Sequence, residues 1–316
     1  MRMSRDFYSK SQLVVMRLAR DLLATNFDER TKPIKDYVRE MGVSIGTVQK
    51  AMQVLIDQKC AVIYFRGHLG SFIVEKDVKK LWEYTGFGTL TGAVGLPLNP
   101  TIAGLSTGIC DCMRIKDIPF NCVFMQGSNT RVKGLQQGNY DFIVASSLTG
   151  QVVSEHDNGI EKVVDLPGCV YSGRYTLLFA DPAKTQVEDG MRVAVDPTSF
   201  DQHYLTQLVC KEKKDIVFLE MGYLETHNSV LSGQSDVIIS RMDYDPSSKE
   251  IEIRTQELVL PNHYTRKEID QFGNAVVLAR KDNYRLADLL RQYLRPNTVA
   301  YSQKQVQSGD RVARYY

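Results

Sequence analysis

The chain has 316 residues, 43% apolar and 24% charged, proportions ordinary for a globular protein of about two domains. It has no run near the roughly 18 uninterrupted apolar residues of a membrane span. The opening MRMSRDFYSK lacks the apolar core and small-residue cleavage site of an export signal, and six cysteines (60, 110, 112, 122, 169, 210) are too few for a disulfide scaffold, so a reduced, cytoplasmic protein is expected.

Charge is uneven along the chain. Residues 1–75 carry 12 Lys/Arg against 8 Asp/Glu, and the remaining 241 carry 27 against 29. A basic head on a near-neutral body fits one nucleic-acid-binding module joined to a module of another kind.

In chain order, Ser9 or Ser11 caps a first helix running to about Thr25, with Val14, Leu18 and Leu22 as its buried stripe and Leu13 and Leu23 beside it. Asn26 to Lys32 is a polar loop. Pro33 suits the first turn of a second helix, whose Ile34, Val38 and Met41 face inward. Gly42 reverses the chain in the left-handed conformation. Ser44 caps a third helix with an apolar face of Val48, Ala51, Met52 and Leu55 and a polar face of Thr47, Gln49, Lys50 and Gln53. After Cys60, the runs Val62–Phe65 and Phe72–Val74 flank Arg66-Gly67-His68-Leu69-Gly70 and read as a basic hairpin. Helix, turn, helix and basic hairpin make a winged helix-turn-helix over residues 1–75. Such a unit puts one helix end in a major groove and its hairpin on the backbone or minor groove, or else binds protein.

The run V-S-x-G-T-V-x-K-A-M and the hairpin end G-S-F-I-V resemble the DNA-binding domain of the GntR superfamily of bacterial regulators, and the chain as a whole resembles the YhfZ-like branch of that superfamily. The chemistry departs at two positions: Ile45 and Gln49 stand where members usually carry arginine. The resemblance implies duplex DNA as a partner, with Lys32, Ser44, Ile45, Thr47, Gln49, Lys50, Arg66 and His68 as the contacting set, and a homodimer.

Residues 76–89 form a connector. Val78, Leu81 and Trp82 make one face of a short helix, packed on its own protomer or on a second one. From residue 90 to 316 the informative feature is an internal repeat. Val123-Phe124-Met125-Gln126-Gly127 and Gly138-Asn139-Tyr140-Asp141-Phe142-Ile143-Val144 recur at an offset of 95 as Phe218-Leu219-Glu220-Met221-Gly222 and Gly233-Gln234-Ser235-Asp236-Val237-Ile238-Ile239. Each copy reads strand, helix, glycine turn, Asp, buried strand. Each is preceded by another strand and helix: Ala93–Leu96 then about 101–113, and Arg192–Val195 then about 199–211. Two β-α-β-α-β lobes around a cleft are the architecture of type 2 periplasmic-binding-protein folds, which this α/β body resembles. Residues 146–175 are a first crossing between lobes. Asn274–Ala279, followed by a helix at 287–294, returns to the first lobe.

Open α/β sheets bind ligands at strand carboxyl ends and helix N-termini, where free N–H groups favour anions. Lobe one supplies Asn99, Thr101, Ser128, Asn129, Ser146 and Ser147 there, and lobe two supplies Thr198, Ser199, Tyr223 and Arg241. The set suits a small polar, anionic metabolite. Any single hydroxyl or amide here can instead be a helix cap, and Arg241 can pair with Asp243 rather than a ligand. Arg174, in the crossing segment, is a further candidate cation.

No catalytic constellation is legible. Cys110-Asp111-Cys112 lacks the second pair or histidine of a zinc site and reads as buried structural cysteine. His156, His203, His227 and His263 are scattered, and Asp141 and Asp236 stand at structural repeat positions. No cofactor or metal is expected. The expectation is a ligand-responsive transcriptional regulator in which effector binding closes the cleft and changes how two heads meet two half-sites. The alternatives are a cytosolic enzyme on the same fold or an export-side solute receptor. The tail from Thr298 adds to the body, reaches a partner protomer or stays loose.

Overall fold

The computed structural model describes residues 8–157, 159–241, 254–260 and 264–316. Asp243 and His263 lie outside the described residues. The chain divides into two compact units. One runs through Leu90 and takes in residues 112–121 and 283–294; the other holds the rest.

In the first unit, α1 (Lys10–Ala24) starts at a Ser9 capping box closed by Gln12, and Val14, Leu18, Leu22 and Leu23 are buried while Leu13 is half-buried. In α2 (Ile34–Met41) Pro33 is the N-cap residue. Ile34, Val38 and Met41 are only half-buried, and the side chain that fills the interior is Tyr37. The apolar spacing missed it because a tyrosine carries a polar end. Gly42 takes φ 61°, and Ser44 accepts from the Thr47 amide at 3.2 Å to open α3 (Ile45–Asp57), which buries Val48, Ala51, Met52 and Leu55. Strands β1 (Ala61–Phe65) and β2 (Ser71–Lys76) form the antiparallel wing. Helix α4 (Val78–Tyr84) buries Leu81 and Trp82 against α1 of its own chain, and the indole donates to the Gly88 carbonyl at 2.8 Å. Of the two fates open to this connector, packing on its own protomer is the one observed.

The second unit carries two sheets. The elements of the first lobe are β3 (Leu90–Val94), α5 (Pro100–Arg114), β4 (Phe120–Phe124), α6 (Ser128–Gln136), β5 (Phe142–Ser146), α7 (Ser147–His156) and β6 (Ile160–Val170). The second lobe has β7 (Tyr175–Phe179), β8 (Arg192–Val195), α8 (Phe200–Cys210), β9 (Val217–Glu220), α9 (Tyr223–Leu231), β10 (Val237–Arg241), β11 (Thr255–Glu257) and α10 (Arg266–Gln271). Then β12 (Asn274–Arg280) inserts between β5 and β6, antiparallel to both, and α11 (Tyr284–Tyr293) and α12 (Pro296–Gln307) come after it. The strand orders are β4-β3-β5-β12-β6 and β11-β7-β10-β8-β9. The central strand β5 is buried at every position and β10 at all but its last, as their unbroken apolar runs require.

The repeat has a physical explanation. Asp141 accepts from the Thr91 amide at 2.9 Å, and Asp236 accepts from the Arg192 amide at 2.7 Å. In each lobe the repeat Asp therefore stitches the start of one central strand to the start of the other. Gly138 and Gly233 precede them at φ 77° and 73°, where a Cβ is strained.

Two expectations about the crossings change. Helix α7 and strand β6 belong to lobe one, so the crossing narrows to residues 171–174, with the return at 272–273. The helix after β12 belongs to the head unit, not lobe one. There Arg285 pairs with the buried Asp21 of α1, and the Tyr293 hydroxyl donates to the Leu23 carbonyl at 3.2 Å. An amphipathic pattern records that a face is buried, not what buries it. The tail is part of the body: Gln303 donates to the carbonyls of Thr101 and Val170, Arg311 pairs with Asp111 at 2.6 Å, and Tyr315 meets the edge of Phe124. Cys110 and Cys112 are buried in α5.

Candidate functional site

The head presents one side of α3 to solvent. Ser44, Gln49 and Lys50 are exposed, Thr47 is half-buried, and Ile45 is an exposed apolar side chain at the helix start. A helix N-terminus of this composition can offer hydrogen bonds to base edges, and Ile45 can offer an apolar contact to a thymine methyl. On the wing, Arg66 lies over the rings of Tyr64 and Phe72 at 5.6 and 4.8 Å, and His68 is exposed at the tip. Between α3 and the wing runs a groove of about 480 Å³ lined by Gln49, Gln53, Phe65 and Arg30 among others. Lys32 also lines it, but its ammonium is paired with Glu40 and lies over the Tyr37 ring, so much of its charge is already used. Arg30 was missed in the sequence because it sits in the loop before α2. A backbone bridge from Arg30 to Phe72 brings it beside the wing, where its guanidinium lies against Gly70.

Behind α3, the buried carboxylate of Asp21 gathers Arg17 and Arg285, and Arg17 reaches on to Glu40 at 2.8 Å. Burial, with the Asp21 charge added, pushes the Tyr37 phenol well above its usual range.

Between the two lobes of the body lies a cavity of about 780 Å³. Of the residues expected at a ligand site, Asn99, Ser128, Ser199, Tyr223 and Arg241 line it; Thr101, Asn129, Ser146, Ser147 and Thr198 do not. Asn129, Ser146, Thr101 and Thr198 are occupied elsewhere. The Asn129 amide donates to the Thr198 carbonyl at 3.0 Å and its side chain to the Pro197 carbonyl at 2.9 Å. Ser146 caps α7 and donates to Asp201 at 2.8 Å. Thr101 accepts from Gln307. The N-termini of α6, α7 and α8 therefore meet the opposite lobe. Gly127, at φ 79°, allows this: a Cβ there would stand 2.7 Å from the Thr198 side chain.

The tie between lobes centres on Asp201 of α8. It accepts from Ser146 and Thr149 of lobe one and from the Tyr175 hydroxyl, while Ser128 accepts from the Phe200 amide at 2.9 Å. Burial, with Asp201 adding to it, holds the Tyr175 phenol well above its usual range, so it stays a donor.

Cavity residues that were not foreseen include Arg131, Tyr171, Asp196 and Asp201. Arg131 left one sequence signal. It stands four residues before Leu135 and next to Val132, which places a charge on the inner face of α6. Asp196 left none, since its role depends on a turn in which it accepts from the Thr198 amide and hydroxyl. Arg241 lies over the Tyr223 ring at 4.9 Å. Arg174 pairs with Asp270 at 3.3 Å and does not line the cavity.

The YhfZ C-terminal domain family matches residues 77–315, and a helix-turn-helix domain family matches residues 26–73. The chain is 28% identical over 313 residues to the uncharacterized protein YhfZ of Escherichia coli K12, covering 99% of this chain and all of that one. It is similar to the crystal structure of YhfZ from Shigella flexneri, with 25% identity and a TM-score of 0.62 over 76% of this chain and 98% of that one. The body's fold resembles periplasmic substrate-binding proteins. One from Coxiella burnetii, of an ABC transporter, matches with 15% identity and a TM-score of 0.44 over 70% of this chain and 97% of that one.

Proposed function

The chain belongs to the YhfZ family, and from that premise we propose that it is a ligand-responsive transcriptional regulator of the GntR superfamily. It works in the cytoplasm as a homodimer. The winged head binds operator DNA through α3 and the wing, and a small anionic metabolite binds in the interlobe cavity. The observation that carries this reading is a cavity lined from both lobes in the same chain as a helix-turn-helix head with an exposed polar helix face. Ligand that bridges the lobes favours one lobe arrangement and shifts the population of head spacings that fit two half-sites.

Enzymatic chemistry is the alternative. The carboxylates on the cavity wall already serve other groups: Asp201 accepts from three protein hydroxyls and Asp196 from Thr198. A carboxylate so satisfied is a poor general base. Gel shifts with genomic fragments, run beside a thermal-shift screen of small acids and sugar phosphates, test the proposal. A selectively bound fragment and a stabilising compound that alters its binding support it; turnover of that compound without DNA binding supports the enzyme.

A further inference from the structure

Arg131 is among the largest fully buried side chains of the protein, with 2% of its surface exposed, yet it lines the cavity. One guanidinium nitrogen, Nη1, donates to the Met125 carbonyl at 2.6 Å, and Nη2 donates to the Tyr171 hydroxyl. Its Nε is buried with no partner. Both partners are uncharged, and among the described residues no carboxylate pairs with it. Among the described residues, the half-buried guanidiniums of Arg311 and Arg285 face Asp111 and Asp21, whereas the Lys76 ammonium donates to the backbone carbonyls of Leu22, Leu23 and Thr25 and is less buried than Arg131. A buried charge without a counter-charge is costly, so a guanidinium held this way is normally completed by an anion.

Tyr171 points the same way. Its oxygen accepts from Arg131, and its own hydrogen meets no acceptor among the described residues. The hydroxyl is buried and also lines the cavity. Gly95 makes room for it, since a Cβ there would stand 2.8 Å from the Tyr171 hydroxyl. Two donors without acceptors, one of them cationic, thus meet in the same wall. Leu96, Leu98 and Ile102 give the cavity an apolar side, and Arg241 supplies a second cation from lobe two.

We infer that the cavity takes a small amphiphilic organic anion whose oxyanion head docks on the Arg131 Nε–H and the Tyr171 O–H while its apolar body lies against Leu96, Leu98 and Ile102. The inference rests on the cavity being a ligand site, as proposed above, and adds the chemical class of the ligand and its seat. Carboxylate, phosphate and sulfonate heads share the required chemistry.

The test is thermal-shift titration of the full chain with short-chain carboxylates, alkyl phosphates and alkyl sulfonates, each beside its matching amide or alcohol. At least one anion should raise Tm while its neutral counterpart does not. Tyr171→Phe, which keeps ring and fold, should weaken that anion about tenfold, and Arg131→Gln should weaken it by about a hundredfold. If Arg131→Gln does not fold, Tyr171→Phe and Gly95→Ala, which displaces the same hydroxyl, carry the test. Equal stabilisation of wild type and Tyr171→Phe overturns the seat. Stabilisation by neutral compounds alone overturns the inference but leaves the cavity as a ligand site. Stabilisation by no compound of any class overturns both.

Discussion

The Asn129 amide, in the first turn of α6 in lobe one, donates to the Thr198 carbonyl of lobe two at 3.0 Å. A helix end that could receive an anion is instead filled by the other lobe, so the lobes meet directly there. On the proposed reading, ligand recognition falls to side chains that reach past this contact, with the guanidiniums of Arg131 and Arg241 foremost.

The Asp201 tie sets the stability of the lobe arrangement. Asp201→Ala strands three buried hydroxyls and should destabilise the body by about 2–3 kcal/mol. Chemical denaturation followed by circular dichroism measures this. A loss below about 0.5 kcal/mol would mean that the hydroxyls find other partners.

Arg241 lies over Tyr223 at the cavity wall. Arg241→Ala should abolish the thermal stabilisation given by whichever anion stabilises the wild type, while leaving the apo Tm within a few degrees. Full retention of the ligand response would move the grip away from lobe two.

The repeat Asp236 has its pKa lowered, first by hydrogen bonding to the Arg192 side chain. A folded-state pKa below the unfolded value gives stability that is present above about pH 4 and lost as pH falls through the folded value. Asp236→Asn should therefore cost lobe two stability at neutral pH, by about 1 kcal/mol once solvent screening is allowed for, and flatten the acid limb of its unfolding profile. Wild-type and variant profiles that stay parallel down to about pH 3 would contradict this.

Arg285 of α11 is a partner of the buried Asp21 in α1. Arg285→Ala should destabilise the head unit by about 1–3 kcal/mol, because among the described residues Asp21 then keeps Arg17 and Tyr37. Hydrogen exchange should rise in α1 and α2; unchanged protection there would show the pair to be dispensable.

The sequence showed some of this plainly and hid the rest for physical reasons. Periodicity located α3 and the wing, because Val48, Ala51, Met52 and Leu55 lie on one helical stripe. The repeat revealed two lobes, since Gly138, Asp141, Gly233 and Asp236 each meet a backbone requirement that few residues satisfy. The cavity lining was less legible. Asn99, Ser146 and Thr198 carry the right chemistry, but Ser146 uses it on the α7 cap and on Asp201, 55 residues away, and the Thr198 hydroxyl uses it on Asp196 two residues back. Arg131 stood in an apolar helix face, where its charge was the clue. The packing of α11 on α1 joins opposite ends of the chain, which no local pattern encodes.

DNA reading by α3 is tested by fluorescence-anisotropy titration of a selected genomic fragment across salt concentrations. Wild type should prefer that fragment over a scrambled one, with affinity falling as salt rises. The Gln49→Ala, Lys50→Ala double variant should bind more weakly, with the salt slope reduced by about one and the ligand response of the body intact. Equal affinity for selected and scrambled DNA, unchanged in the variant, would show that α3 does not read DNA.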